Sequence, residues 1–326
     1  MMKVLVIGAA GMIGKKLIQR LTDEKSSVHP LSQLILYDII DAEIPSTKIP
    51  VKIFSGDISK TDQAKVLASE KPAIIYHLAS IVSGEAEEKF SKGWNTNAHG
   101  TWRLLEELRE ISETSHGAYK PKIIFTSSIA VFGAPFPDKI GDEFLCAPQT
   151  SYGAQKAITE MLISDYSRKG FIDGISIRLP TICVRPGKPN LAASGFFSGI
   201  IREPLNNMEA ILPVSNQVRH WHASPRSATH FLTHASSIDL EKLGDRRSLN
   251  MPGVSCTVEE QIEALREIAG NKVVAKIKHK RDPKITKIVD GWPRNFDPVR
   301  ATALGFKSEI TFGEIIKVYL DDDFKK

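Results

Sequence analysis

Residues 3–14 read Lys3-Val4-Leu5-Val6-Ile7-Gly8-Ala9-Ala10-Gly11-Met12-Ile13-Gly14, and few stretches restrict a fold more tightly. The apolar, largely β-branched run Val4–Ile7 has the pattern of a strand buried on both faces of a parallel sheet. Three glycines follow at once, and Lys15–Leu21 reads as a helix. A strand, a glycine turn and a helix N-terminus make an anion site, because free backbone N–H groups and the helix dipole point at the same place. Gly8 serves the tight turn, Gly11 the close approach of a pyrophosphate and Gly14 the packing of helix on sheet. Gly8, Gly11, Met12, Ile13 and Gly14 are therefore expected to hold the phosphates of a dinucleotide.

The pattern repeats down the chain. Leu34–Tyr37 is a second apolar run, closed by Asp38. An acid at that point accepts hydrogen bonds from an adenosine ribose and repels a 2′-phosphate, which favours NAD over NADP. Val51–Phe54 gives a third strand, followed by Asp57-Ile58; Asp57 can reach the adenine amino group or cap a helix starting near Ser59. Ala73–His77 is a fourth strand that runs into Leu78-Ala79, whose backbone is expected to face the cofactor. His77 lies inside the apolar run and reads as a packed side chain. A helix over Asn95–Ile111 precedes a fifth strand, Ile123–Thr126, which ends in Ser127-Ser128; Ile175–Leu179 is a sixth.

Strands alternating with helices predict an α/β protein built on a Rossmann-type, doubly wound parallel sheet. Residues 1–180 form the NAD-binding domain in this reading. Residues 181–326 form mainly a smaller α/β lobe that caps the substrate, with segments returning to the first domain. In that lobe Thr257–Ile268 reads as a helix, Asp297-Pro298 as the cap and first turn of another that Gly305 ends, and Ile310–Tyr319 as a last helix.

A chemical group is visible in Thr150-Ser151-Tyr152-Gly153-Ala154-Gln155-Lys156, which opens a helical pattern with Ala154, Ala157, Ile158, Met161 and Leu162 at amphipathic spacing. Tyr152 and Lys156, at i and i+4, share a helix face. A lysine charge about 5.5 Å away, at an effective dielectric of about 20, favours the phenolate by roughly 3 kcal/mol, or about two pKa units. Such a tyrosine can transfer protons near neutral pH.

Composition removes other classes. The chain has 43 Lys and Arg against 38 Asp and Glu and a net charge of +5; its densest basic run, residues 276–281, reads as a solvated face rather than a nucleic-acid surface. No stretch is long and apolar enough to span a membrane, and the glycine-broken N-terminus does not read as a signal peptide. Three scattered cysteines fit a reduced, cytoplasmic setting. His220 and His222 lack a third ligand nearby, so no metal is expected.

Taken in order, Gly8-x-x-Gly11-x-x-Gly14, Asp38, Asp57-Ile58, His77-Leu78-Ala79, Asn97-x-x-Gly100-Thr101, Ser127-Ser128-x-x-Val131-Phe132-Gly133 and Tyr152-x-x-x-Lys156 resemble the extended short-chain dehydrogenase/reductase family, its NAD-dependent epimerase/dehydratase group. The resemblance covers nearly the whole chain. It implies NAD as cofactor and Ser128, Tyr152 and Lys156 as the catalytic trio, with Ser127 as the alternative to Ser128. It further implies cofactor contacts at Asn97, Tyr152, Lys156, Thr181 and Ile182, and a homodimer formed through the helices that bear Asn97 and Tyr152.

Departures from the family pattern bear on the substrate. The Thr-Asp-Glu of the dehydratases is replaced by Ser127-Ser128-Ile129-Ala130, so no acid pair is available to eliminate water. The Asn-x-x-Gly-Pro of many nucleotide-sugar enzymes is replaced by Leu179-Pro180-Thr181-Ile182-Cys183-Val184-Arg185. Arg185, Lys188 and Arg202 follow the sixth strand, at the carboxyl end of the sheet where ligands bind, and an arginine can hold a carboxylate by two parallel hydrogen bonds. With Ser128 and Tyr152 on the reacting hydroxyl, these cations favour a small sugar acid. Segments 184–190, 198–205, 223–228 and 296–301 resemble the sugar-acid dehydrogenases of the family, which implies NAD-dependent oxidation of a C2 hydroxyl, with D-erythronate as the implied substrate and its 2-keto acid as product. The alternatives are a nucleotide-sugar 4-epimerase with tightly held NAD and a related aldonate or uronate dehydrogenase.

Overall fold

The run Val4–Ile7 is fully buried because it lies inside a seven-stranded sheet with helices on both faces. The computed structural model describes residues 2–23, 25, 29–187 and 193–324. In chain order its main strands are β1 (Met2–Ile7), β2 (Leu31–Asp38), β3 (Val51–Ser55), β4 (Ile74–His77), β5 (Lys122–Ser128), β6 (Asp173–Leu179), β7 (Thr181–Ile182), β8 (Arg219–Ala223), β9 (Ser248–Asn250) and β10 (Val254–Thr257). The principal helices are α1 (Met12–Thr22), α2 (Thr61–Ser69), α3 (Gly100–Thr114), α4 (Ser151–Arg168), α5 (Gly195–Leu205), α6 (Pro225–Ser237), α7 (Val258–Ala269) and α8 (Phe312–Asp322).

The large sheet is wholly parallel and ordered β9-β6-β5-β4-β1-β2-β3. It is the expected doubly wound arrangement, and the strand order reverses between β1 and β4, where such sheets leave a crevice at their carboxyl ends. Its outermost strand, β9, and helix α6, which contacts β5 and β6, come from residues beyond 224. A separate apolar core joins Val184, Phe197, Leu212, Val258, Leu265 and Ile315. It is built around a small sheet in which β8 lies between β7 and β10. The last helix also reaches the first: Lys16 of α1 pairs with Asp323 at 2.7 Å.

Several elements differ from the sequence reading. Helix α4 turns Gln155, Lys156, Thr159 and Glu160 inward, while Ile158 and Met161 from the apolar spacing face outward. Asn97 sits in a π-turn, Asn95–His99, that leads into α3. Asp297 caps no helix: it belongs to a two-residue strand, and Asp142 Oδ2 instead accepts the Arg300 N–H at 2.9 Å. The helix there, Val299–Ala303, does give way to Gly305 at φ +89°. Thr311 and Glu314 form a capping box that starts α8 at Phe312 rather than at Ile310.

Candidate active site

The glycine turn forms where β1 ends. Gly8 has φ +92°, and a Cβ there would lie 2.6 Å from Ala79 N, so the turn and the end of β4 touch backbone to backbone. A Cβ on Gly14 would meet Gly8 O at 2.2 Å; only glycine lets α1 begin this close to the strand. Gly11 is the N-cap of α1 and makes no side-chain cap, which leaves the first-turn N–H groups of Met12, Ile13 and Gly14 without intrahelical partners. Asp38 Oδ2 accepts the Ala10 N–H at 2.9 Å and Oδ1 the Ile39 N–H at 2.7 Å, so the acid ending β2 is fixed beside the turn. A turn with no side chain over it, unpaired donors and an adjacent acid fit a dinucleotide phosphate and ribose.

Asp57 Oδ1 accepts the Ser59 N–H at 2.9 Å, ahead of α2 at Thr61. Ile58 is buried, and its carbonyl lies against Gly100, where a Cβ would approach to 2.8 Å. At the end of β4, Leu78 and Ala79 both donate their N–H groups to Ile7 O, at 2.8 and 3.0 Å.

Asn97 is 2% exposed, and its amide is fully engaged within the protein. Its Oδ1 accepts from Ile81 N at 2.7 Å and Ser80 Oγ at 3.0 Å, and its Nδ2 donates to Ile81 O at 3.1 Å and Gln155 Oε1 at 2.7 Å. It braces the loop after β4 against helix α4. His77 is packed edge-on against Phe125 and bonded to Thr101 Oγ1 at 3.0 Å. Burial lowers it to about 3.

The two serines ending β5 point to opposite faces, as strand residues must. Ser127 is buried and donates to Glu160, which holds Arg178 at 2.7 Å. Ser128 is half-buried, accepts the Ala130 N–H at 3.2 Å, and lies near enough to the Tyr152 phenol to hold its pKa down. The geometry therefore separates the two serines, and Ser128 is the one beside the tyrosine.

Helix α4 starts at the Thr150 cap, whose Oγ1 accepts the Gly153 N–H at 3.1 Å, and this sets Tyr152 in its first turn. Lys156 is 1% exposed; its Nζ donates to Thr126 O at 2.8 Å and lies 4.6 Å from the Phe125 ring centre and 5.6 Å from that of Tyr152. Burial lowers Lys156 to about 7, against the opposing pull of Glu160. Burial raises Tyr152, and Ser128, the Arg185 charge and Ser80 oppose it in that order. Arg185 is a second cation acting on the phenol, beside Lys156, whose ammonium is desolvated and turned to the Thr126 carbonyl.

Arg185 donates through Nε to Ile182 O at 2.9 Å and through Nη2 to Ser194 Oγ at 3.2 Å. Arg202 is spent on structure: Nη1 donates to Arg185 O at 2.6 Å and Nη2 to Glu203 at 2.5 Å. It braces the Arg185 loop instead of presenting a free fork. Lys188 lies outside the described residues. Thr181 Oγ1 is 2.7 Å from His220 Nε2, a partner the sequence reading did not connect, and Ile182 is buried.

A cavity of about 500 Å³, lined by Lys15, Ile18, Glu43 and Ile44 among others, opens between α1 and the loop after β2. Another, of about 200 Å³, lies by Phe196 and Glu203; Ser128, Tyr152 and Lys156 line neither. No three metal-binding side chains cluster among the described residues, and none of their helices is long and apolar enough to cross a membrane.

Residues 4–224 match the model of the NAD dependent epimerase/dehydratase family. A D-erythronate dehydrogenase of Cupriavidus necator is 41% identical over 98% of both chains. One from Haemophilus influenzae is 38% identical over 99% of this chain and 100% of its own. The crystal structure of a protein from Agrobacterium tumefaciens, described as a nucleoside-diphosphate-sugar epimerase, is 53% identical, superposes with a TM-score of 0.95 and covers 98% of this chain and 94% of that one.

The depressed Lys156 value has a consequence for stability. Between pH about 7 and 10.5 the folded chain leaves Lys156 neutral while the unfolded chain protonates it. Stability of the cofactor-free protein relative to Lys156→Met should therefore rise with pH across that window, by up to about 1.4 kcal/mol per unit. Urea unfolding of the two proteins along a pH series tests this; parallel stability curves would show that Lys156 titrates normally.

Proposed function

The chain belongs to the NAD dependent epimerase/dehydratase family and is an NAD-dependent oxidoreductase, and from that premise we propose that it oxidises the C2 hydroxyl of a small sugar acid, D-erythronate, to the 2-keto acid. The observation that carries this reading is the convergence of Ser128 at the end of β5 with Tyr152 and Lys156 in the first turns of α4, Lys156 Nζ lying 5.6 Å from the Tyr152 ring centre. Bound NAD would supply the acceptor for the hydride of C2. Met12, Ile13 and Gly14 would hold its phosphates, Asp38 its adenosine ribose and Lys156 its second ribose.

Tyr152 takes the proton of the C2 hydroxyl. Ser128 donates to the same oxygen, so negative charge developing there meets a fixed dipole. Lys156, seated on Thr126 O, fixes the helix face below the phenol. Arg185 pairs with the substrate carboxylate, and its Ser194 contact is the one that yields. The buried donors leave little room for water to compete for the carboxylate.

The epimerase reading has a specific support, the 53% identical protein that carries that description. Against it stands the sequence after β6, which places Arg185 where a nucleotide-sugar enzyme of the family would place its Asn-x-x-Gly-Pro segment. Three free cysteines support a reducing, cytoplasmic location. Exposed Trp102 on α3 and Met161 on α4 support a homodimer through those helices.

Two measurements test this. NADH formation at 340 nm over a panel of sugar acids and UDP-sugars should appear with D-erythronate. Tyr152→Phe should lower it by about 10²-fold or more, and Arg185→Met should raise the erythronate KM about tenfold or more with the NAD KM unchanged. Conversion of a UDP-sugar without net NADH would reject the reading. Sedimentation should give a dimer that Met161→Glu dissociates; a wild-type monomer would reject the interface.

A further inference from the structure

His220 fixes the direction of the Thr181 hydroxyl hydrogen. The ring lies between two partners: Nδ1 is 2.9 Å from Pro293 O and Nε2 is 2.7 Å from Thr181 Oγ1. A peptide carbonyl only accepts, so Nδ1 carries a hydrogen. The ring is 2% exposed, stacked on Phe197 with planes 3° apart, and flanked by His222 and Trp292, with no carboxylate among the described residues acting on it. Burial in those surroundings holds it neutral, down at about 4. A neutral ring with its hydrogen on Nδ1 has a bare Nε2, so Thr181 must be the donor of the shorter bond. Its only hydroxyl hydrogen is turned inward, and lone pairs alone are left for a ligand.

Thr181 is half-buried and two residues beyond Leu179, the strand partner of Ser128. A dinucleotide on a doubly wound sheet crosses from one half to the other where the strand order reverses, here between β1 and β4. With the adenosine on the Asp38 side, the other base lies over the ends of β5 and β6, beside Thr181. That base bears a carboxamide, and its NH2 group is a donor.

We propose that His220 is a positioning residue that holds Thr181 as an acceptor for the carboxamide NH2 of the nicotinamide. The assignment rests on the NAD reading above. It also gives His220 a place in cofactor selection, although it stands in the lobe sheet and not in the glycine turn. The same lone pairs repel carboxylate and phosphate oxygens, which keeps the acid end of the substrate on the Arg185 side.

The test is equilibrium binding of NAD and of its acetylpyridine analogue by calorimetry, without substrate. The analogue keeps the carbonyl but has a methyl group in place of NH2. Wild type should prefer NAD by roughly tenfold, the worth of one well-made hydrogen bond. Thr181→Val should reduce the preference to about twofold or less, and Thr181→Ser should retain it. His220→Phe, which keeps the stack on Phe197 but removes the bare nitrogen, should lower the preference at least about threefold while leaving analogue affinity nearly unchanged. An undiminished preference in Thr181→Val or His220→Phe would overturn the proposal, as would a loss confined to the KM of the sugar acid. Absence of NAD binding by wild type would overturn the cofactor reading with it, whereas NAD binding without discrimination would overturn this proposal alone.

Discussion

Glu160 of α4 grips Arg178 of β6 with both carboxylate oxygens, Nε at 3.0 and 3.1 Å and Nη2 at 2.7 Å, in an interior where neither group has much water. The same carboxylate accepts from Ser127. Removing one partner of a pair this buried leaves an uncompensated charge and costs about 3–5 kcal/mol. One turn earlier Lys156 is tied to Thr126, and Gln155 to Asn97. These contacts fix the rotation of α4 about its axis, and Tyr152 faces Ser128 as a result. The helix is seated by a polar network, so its chemistry depends on every member being satisfied.

That network explains which parts were legible in the sequence. The strands of the first half were, because each is an apolar run with no competing helical period, and most are closed by a glycine, acid or serine. The glycine turn was legible because Gly8 and Gly14 answer to steric limits that no other residue meets. The seating of α4 was not: Ile158 and Met161 marked its apolar face, yet the buried face carries Gln155, Lys156 and Glu160. Hydrophobic periodicity finds a face that avoids water. It does not find one whose polar groups are paired across 58 positions of chain, as with Gln155 and Asn97, 2.7 Å apart.

The site residues divide in the same way. Ser128, Tyr152 and Lys156 were legible because a strand end and a helix start are marked locally, while the network seats them face to face. Arg185 and Arg202 looked equivalent in the sequence, and only tertiary contacts separate them: Arg202 is used up by Glu203 and the Arg185 carbonyl. Asp297 failed as a cap for a similar reason, since Asp142 fills that role from a distant loop. Strand β9 is three residues long, too short for any period to show. His220 and Thr181 are 39 positions apart, and no spacing rule links them.

In the proposed reaction a hydride leaves the sugar acid for good, whereas an epimerase would return it. Mass spectrometry of a turnover with D-erythronate deuterated at C2 tests this most directly. The reduced cofactor should carry one deuterium and the 2-keto acid none. Deuterium retained on carbon with no reduced cofactor released would contradict it and leave a Rossmann protein whose chemistry is not sugar-acid oxidation.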